Sequence, residues 1–278
     1  MGAILGTSSG VPFKSMIEGN SMSNYAQFLP GLTTLGDILS KEGYDNYFLC
    51  GSDAEFGGRK LFYEQHGNYQ IHDYPYAIAG KYIPEDYNVF WGYEDTKLFE
   101  IAKTELEYLG SSGKTFNYTM LTIDTHHPAG YICEQCEERY ESPYANAISC
   151  SDRQVAEFVA WLQEQDWYQD TTVILIGDHT SMAADFWDDI GEYERRTYNC
   201  FLNVPEQIST ENTKGRKFDT LDYFPTILAS LGVKIEGERL GMGTNLFSGK
   251  STLLEEMGME YEEELQKYSD YYVENFEK

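Results

Sequence analysis

A chain of 278 residues can bury one substantial core, with at most a small appendage. Its 46 acidic residues against 20 basic ones give a formal net charge of -26 and a pI near 4.4. That balance excludes nucleic acid as a partner, because nothing would neutralise the phosphates, and it sets the surface against anionic lipid heads.

No run of 18 apolar residues and no signal peptide occurs in residues 1–278. The opening stretch, Met1 to Pro12 (MGAILGTSSGVP), is apolar and rich in small residues. It reads as the interior of a fold entered midway, so an amino-terminally truncated chain is expected. From Pro30 to Gly43 a Thr cap candidate, the apolar Leu35, Ile38 and Leu39 and a closing glycine predict a short helix. A strand over 47–50 follows, then a helix over 96–109 and a strong strand over 116–123. Residues 144–165 place Ile148, Val155, Phe158, Val159 and Leu162 on one helical face. The strand at 172–177 is an unbroken apolar run and reads as covered on both faces. Another strand is expected at 197–204 and a helix at 221–231. Strands alternating with helices predict an α/β class with a mostly parallel central sheet and helices on both faces. Residues 1–250 form the domain. Residues 251–278 are read as an acidic helix packed on it, with Met257, Tyr261, Leu265 and Tyr268 at helical spacing. Most of the 23 tyrosines are expected to be half-buried packing residues.

Three segments end where a shared site can form. The 172–177 strand stops on Asp178-His179, a carboxylate and an imidazole suited to a divalent metal at the carboxyl end of a strand. The dipeptide alone fits a turn cap beside a solvated His equally well. The 116–123 strand runs into His126-His127-Pro128, placing two of the chain's five histidines side by side. The loop from Gly51 to Arg59 is glycine-rich and ends on a guanidinium, a combination suited to phosphate oxygens. Taken alone it is better read as an ordinary strand-to-helix loop with a surface Arg. Cys133 and Cys136 stand in a polar loop, which disfavours a thioredoxin-type pair, and only Cys150 is near enough to complete a zinc set. A disulfide from Cys136 or Cys133 to Cys150 fits better and implies an oxidising compartment; Cys136–Cys150 is the pair to test. Closing about a dozen residues would contribute roughly 3 kcal/mol. Cys50 and Cys200 are expected to be buried thiols.

Taken in order, these segments resemble the extracytoplasmic catalytic domains of membrane phosphoglycerol transferases. That is a branch of the sulfatase and alkaline-phosphatase superfamily that includes lipoteichoic acid synthases. The resembling residues are Ser9 to Pro12, Glu18 to Asn20, Leu35 to Leu39, Gly43 to Phe48, Phe116 to Pro128, Cys150-Ser151 and Gly177 to His179, with a fainter stretch at Leu240 to Leu246. The resemblance implies an alkaline-phosphatase-like sheet lacking its first strand. It implies a divalent cation, manganese or alternatively magnesium, held by Asp178 and His179. His126, His127, Arg59 and Ser52 would bind substrate, with Ser52 standing where lipoteichoic acid synthases carry an Asp. Aligned through Gly10-Val11-Pro12, the family's nucleophilic Thr falls just before Met1 and its Glu metal ligand farther upstream. Thr7, Ser8 and Ser9 come several residues too late in the helix that should follow it. The implied function is transfer of phosphoglycerol from phosphatidylglycerol to a glycan or polyol acceptor, by a membrane-anchored extracytoplasmic parent. The metal site would be incomplete and the chain inactive as given. A sulfatase or phosphoethanolamine-transferase-like hydrolase, and a non-catalytic glycan- or lipid-headgroup-binding domain, are the alternatives.

Overall fold

The computed structural model describes residues 1–14, 21–188, 192–258 and 260–278. Helix α1 (Gly2–Ser9) leads to α2 (Leu35–Lys41), which begins at a reciprocal cap. The Asp37 N–H donates to Thr34 Oγ1 (3.4 Å) and the Thr34 N–H to Asp37 Oδ2 (2.8 Å), so two otherwise orphaned donors are satisfied. Then come β1 (Asp45–Cys50), α3 (Arg59–Gln65), β2 (Gln70–His72), α4 (Tyr74–Ala79), α5 (Asp95–Ser111) and β3 (Phe116–Leu121). β1 lies between β2 and β3 and runs parallel to both, with Tyr47 opposite Gln70 on one side and Tyr118 on the other.

Strand alternation sends the fully buried Phe48 and Leu49 to opposite faces of the sheet. Phe48 stacks on Tyr63 of α3 at 4.2 Å, in a core with Leu5, Phe28 and Phe62. Leu49 enters a second core with Leu98, Ile101 and Leu106 of α5 and with Phe158 and Leu162 of α6 (Pro143–Gln163). Helices therefore cover both faces of β1, and the α/β class read from the sequence is the class of the fold.

The next strand differs from its reading. β4 (Val173–Ile176) is half-buried along its length, not covered on both faces. Beyond α7 (Ala184–Trp187) it pairs antiparallel with β5 (Asn199–Leu202), Val173 opposite Leu202. Among the described strands it has no parallel neighbour, so parallel pairing is confined to β1, β2 and β3. An apolar run reports that a strand is partly covered; it does not report which strand pairs with it. Cys50 is buried as expected, whereas Cys200, on β5, is only half-buried. Helix α8 (Tyr223–Ser230) is buried throughout and is followed by the short hairpin β6 (Arg239–Leu240) and β7 (Gly243–Thr244).

The acidic tail is not one helix. It forms α9 (Leu253–Met257), α10 (Glu260–Gln266) and α11 (Asp270–Phe276). Gly258, at φ 60°, ends the first piece and the Ser269 side chain caps the last. Of the four residues read as its apolar face, Tyr261 is buried and Leu265 half-buried, while Met257 and Tyr268 are exposed. Anchoring comes instead from Tyr272, buried in the core that holds Leu5 and Phe28, and from Glu255. Both Glu255 oxygens take hydrogen bonds at 2.9 Å from Arg216 Nε and Nη2, which hold its carboxyl down to about 2. Among the described residues no helix is long and apolar enough to cross a membrane.

Candidate active site

The loop leaving β1 carries Ser52 and Arg59. It turns into α3 through Gly57 and Gly58, at φ 67° and 73°; a Cβ on Gly58 would stand 2.8 Å from the Met22 Cβ, so only glycine fits. Arg59 opens α3 with 8% of its surface exposed. Its Nη2 donates to Ser52 Oγ (3.0 Å) and to the Asp53 carbonyl (2.7 Å), and its guanidinium lies 5.6 Å from the Phe56 ring centroid. The buried Nε has no hydrogen-bond partner. An unspent donor on a held guanidinium is what an incoming anionic oxygen requires.

The loop leaving β3 carries His126 and His127, and its first turn is gripped by Asp95 at the start of α5. The fully buried Asp95 accepts the Ile123 N–H at Oδ1 (2.8 Å) and the Asp124 N–H at Oδ2 (3.1 Å). Burial still pushes its carboxyl up to about 6. Asp124, 1% exposed, has no hydrogen bond to either carboxyl oxygen. Burial first, then the Asp95 and Glu94 charges, push it up to about 8. His126 Nδ1 lies 2.8 Å from the His127 carbonyl and donates to it, leaving Nε2 unspent. The ring stacks on His127 at 4.9 Å and meets the half-exposed Trp91 edge-on at 5.3 Å; Trp91 in turn stands 6.5 Å from Phe56. A run of rings thus joins the Arg59 loop to the His126 loop.

The loop leaving β4 carries the exposed Asp178 and His179. His179 Nδ1 donates to the Thr180 carbonyl (3.0 Å), which fixes the tautomer and turns the Nε2 lone pair toward Asp178 Oδ2, 3.5 Å away. An accessible imidazole and carboxylate facing one point fit a divalent cation. Among the described residues no third His, Cys, Asp or Glu joins them.

Tyr144, in the first turn of α6, ties this loop to the histidine loop. Its hydroxyl lies 2.9 Å from the Thr125 carbonyl and 2.6 Å from Ser181 Oγ, and its ring meets Phe186 edge-on at 5.1 Å. Among the described residues no hydrogen bond joins His126 or His127 directly to the Asp178–His179 pair. Tyr144→Phe keeps the ring and removes the tie. We expect a loss of about 1 kcal/mol in urea unfolding, together with broadened His126 and His179 ring signals in NMR spectra. Unchanged ring signals would show that the two loops hold their spacing without it.

The Arg59 loop and the Asp178 loop both come near the amino end of α1. Burial lowers the Met1 amino group below its ordinary value, the Asp178 charge opposes that shift and the Arg59 charge adds to it. Met1 therefore stands between the two outer loops of the site. Two hydroxyls farther along α1 are spent within the helix, Ser8 Oγ on the Ile4 carbonyl and Ser9 Oγ on the Leu5 carbonyl. Glu18 to Asn20 lie outside the described residues. Cys136 and Cys150 are bridged, with Cα atoms 5.2 Å apart, which ties the end of the histidine loop to α6. Sequence reading missed Asp95, Asp124, Tyr144 and Trp91; a lone acidic residue opening a helix was the only local sign, at Asp95.

Residues 9–233 match the family model described as Sulfatase. The chain belongs to the sulfatase family. Phosphoglycerol transferase I of Salmonella choleraesuis (strain SC-B67) is 32% identical over 251 residues, a match covering 87% of this chain and 32% of that protein. The chain thus spans about a third of the length of the curated relatives it matches. Among solved structures, the lipoteichoic acid synthase LtaP from Listeria monocytogenes aligns with a TM-score of 0.65 and 19% identity, covering 88% of this chain and 62% of that one. Streptococcus pyogenes phosphoglycerol transferase GacH, in complex with sn-glycerol-1-phosphate, aligns with a TM-score of 0.54 and 16% identity, covering 84% and 62%. At these identities both show the fold alone, and it is the fold of the alkaline phosphatase superfamily, whose members usually use a divalent metal.

Proposed function

We propose that this sulfatase-family domain is of the phosphoglycerol-transferase type. In this reading it acts on phosphoglycerol from phosphatidylglycerol on its way to a hydroxyl of a glycan or polyol, outside the cytoplasm and beside the membrane. The observation that carries the proposal is the meeting of three things at the amino end of α1: the Asp178–His179 donor pair, the buried Arg59 with a spare N–H, and the helix start itself, which feels both charges. A helix start favours developing negative charge. Residues 1–250 make up the transferase-type domain and 251–278 its packed tail.

Asp178 and His179 would hold a divalent cation, manganese by preference over magnesium. Bound there, the ion neutralises phosphate charge and lowers the pKa of an attacking hydroxyl. Arg59, oriented by Ser52 Oγ, would set its guanidinium charge beside a non-bridging phosphate oxygen. His126 offers Nε2 from the opposite loop, and His127, stacked behind it, fixes its plane. An attacking hydroxyl would be favoured at the amino end of α1 by the helix start. Ser8 and Ser9 are committed to helix carbonyls and do not take that part.

Calorimetric titration tests the proposal. The chain loaded with manganese should bind sn-glycerol-1-phosphate, and Arg59→Ala should weaken that binding by about tenfold, the usual effect of losing a charge-assisted hydrogen bond. Equal affinity in the variant, or tighter binding of an aryl sulfate than of glycerol phosphate, would overturn it; the second result favours a sulfatase.

A further inference from the structure

We infer that Cys133, Cys136 and Cys150 form a thiol–disulfide exchange site. The bridge between Cys136 and Cys150 leaves Cys133 a free, buried thiol whose Sγ rests 3.4 Å from Cys136 Sγ. All three sulfurs lie within 4.8 Å of one another. The turn from Cys133 to Cys136 is closed by the Cys136 N–H donating to the Cys133 carbonyl at 3.0 Å, which keeps the attacking and attacked residues together.

The surrounding donors are arranged for exchange in one direction. Thr96 Oγ1 stands 3.3 Å from Cys133 Sγ and 2.9 Å from Gln154 Oε1, and its single proton turns to the sulfur when that becomes a thiolate. Gln154 Nε2 (3.5 Å) and Arg153 Nη2 (3.7 Å) both donate to Cys150 Sγ. The sulfur with the guanidinium beside it is the better leaving group, because its thiolate is the more stabilised. Cys133 loses its proton to solvent and swings into line behind Cys136 Sγ. The Cys133–Cys136 bond forms as the Cys136–Cys150 bond breaks. The electron pair stays on Cys150 Sγ, which takes a proton back from solvent. One disulfide and one thiol stand on each side, so no oxidant or reductant is consumed. Exchange replaces the covalent tie between the histidine loop and α6 with a small ring inside the loop, leaving hydrogen bonds such as Tyr144 to the Thr125 carbonyl and Arg153 to the Gln135 carbonyl to hold the loop on the helix. This assignment rests on the three sulfurs and their donors alone and is independent of the ligand at Asp178 and His179.

The test is thiol mapping of the oxidised chain without reductant. Samples held at about pH 6 and about pH 8, where thiolate fractions differ by on the order of tenfold or more, are quenched in acid, alkylated with a maleimide in denaturant and mapped by mass spectrometry. Label should appear on Cys150 as well as Cys133, accumulating at least several-fold faster at the higher pH, with a matching Cys133–Cys136 peptide. Arg153→Ala should slow the appearance of Cys150 label, and Cys133→Ser should abolish it. Label on Cys133 but never on Cys136 or Cys150 at either pH, beside the constant label on the free Cys50 and Cys200, or unaltered Cys150 labelling in Cys133→Ser, would overturn the assignment.

Discussion

Asp124→Asn is expected to stabilise the protein at pH 8 by roughly 2–4 kcal/mol while changing stability at pH 4 by less than about 1 kcal/mol. The wild-type carboxyl is 1% exposed, accepts no hydrogen bond at either oxygen, and faces the charges of Asp95 and Glu94. Burial and those charges raise its folded pKa to about 8, whereas an unfolded Asp titrates near 4. Between those values the folded chain holds a proton that the unfolded chain has lost. Stability is therefore fully present below about pH 4 and declines as pH rises through about 8. Asparagine has nearly the same shape, cannot ionise and can turn its amide N–H toward Asp95. Urea unfolding of both proteins at the two pH values measures the effect. Parallel stability profiles would show that Asp124 ionises without penalty. The assignment bears on the site because Asp124 begins the loop carrying His126, and the Tyr131 N–H closes that loop on the Asp124 carbonyl at 2.8 Å.

How much of this was legible in the sequence depends on the range of the interactions. β1, α5, α6 and α8 were readable because a period of apolar residues is a local signal of an element with one covered face. The pairs Asp178-His179 and His126-His127 stood out for a related reason: polar pairs in the loop after an apolar strand are candidate ligands by residue type and position alone. Sequence could not show that β4 pairs antiparallel with β5, since Val173 and Leu202 are matched by the tertiary fold and not by any local pattern. The acidic tail failed in a more instructive way. Its helical spacing is real, yet Gly258 and Ser269 cut it into pieces, and the apolar anchor moved on to Tyr272. The supporting residues were out of reach altogether. Asp95 grips backbone 28 residues away, and Tyr144 spans 19 residues in one direction and 37 in the other. Their residue types are ordinary in a helix, so only the folded chain reveals that they hold the histidine and metal-side loops.

His179→Ala should lower manganese affinity by on the order of a hundredfold, the scale of losing a protein donor together with the geometry it enforces. The two donors are unequal in what they fix. Asp178 is anchored by the His179 N–H at 2.9 Å, and so keeps its place when the imidazole is removed. The imidazole supplies the one directed lone pair, held in orientation by the Thr180 carbonyl. Both side chains are more than half exposed in the absence of an ion, at 55% for His179 and 57% for Asp178. Neither therefore contributes to the core, and the variant should unfold at the same urea concentration as the wild type. That combination, a large loss of metal binding with no loss of stability, separates a ligand from a packing residue. Calorimetric titration with manganese reads the first quantity and circular dichroism in urea the second. If affinity survives the substitution, the cation is held elsewhere on the chain and the Asp178–His179 pair is a strand-end turn beside a solvated imidazole. If affinity falls in step with stability, the histidine holds the loop's fold and its effect on the metal is indirect.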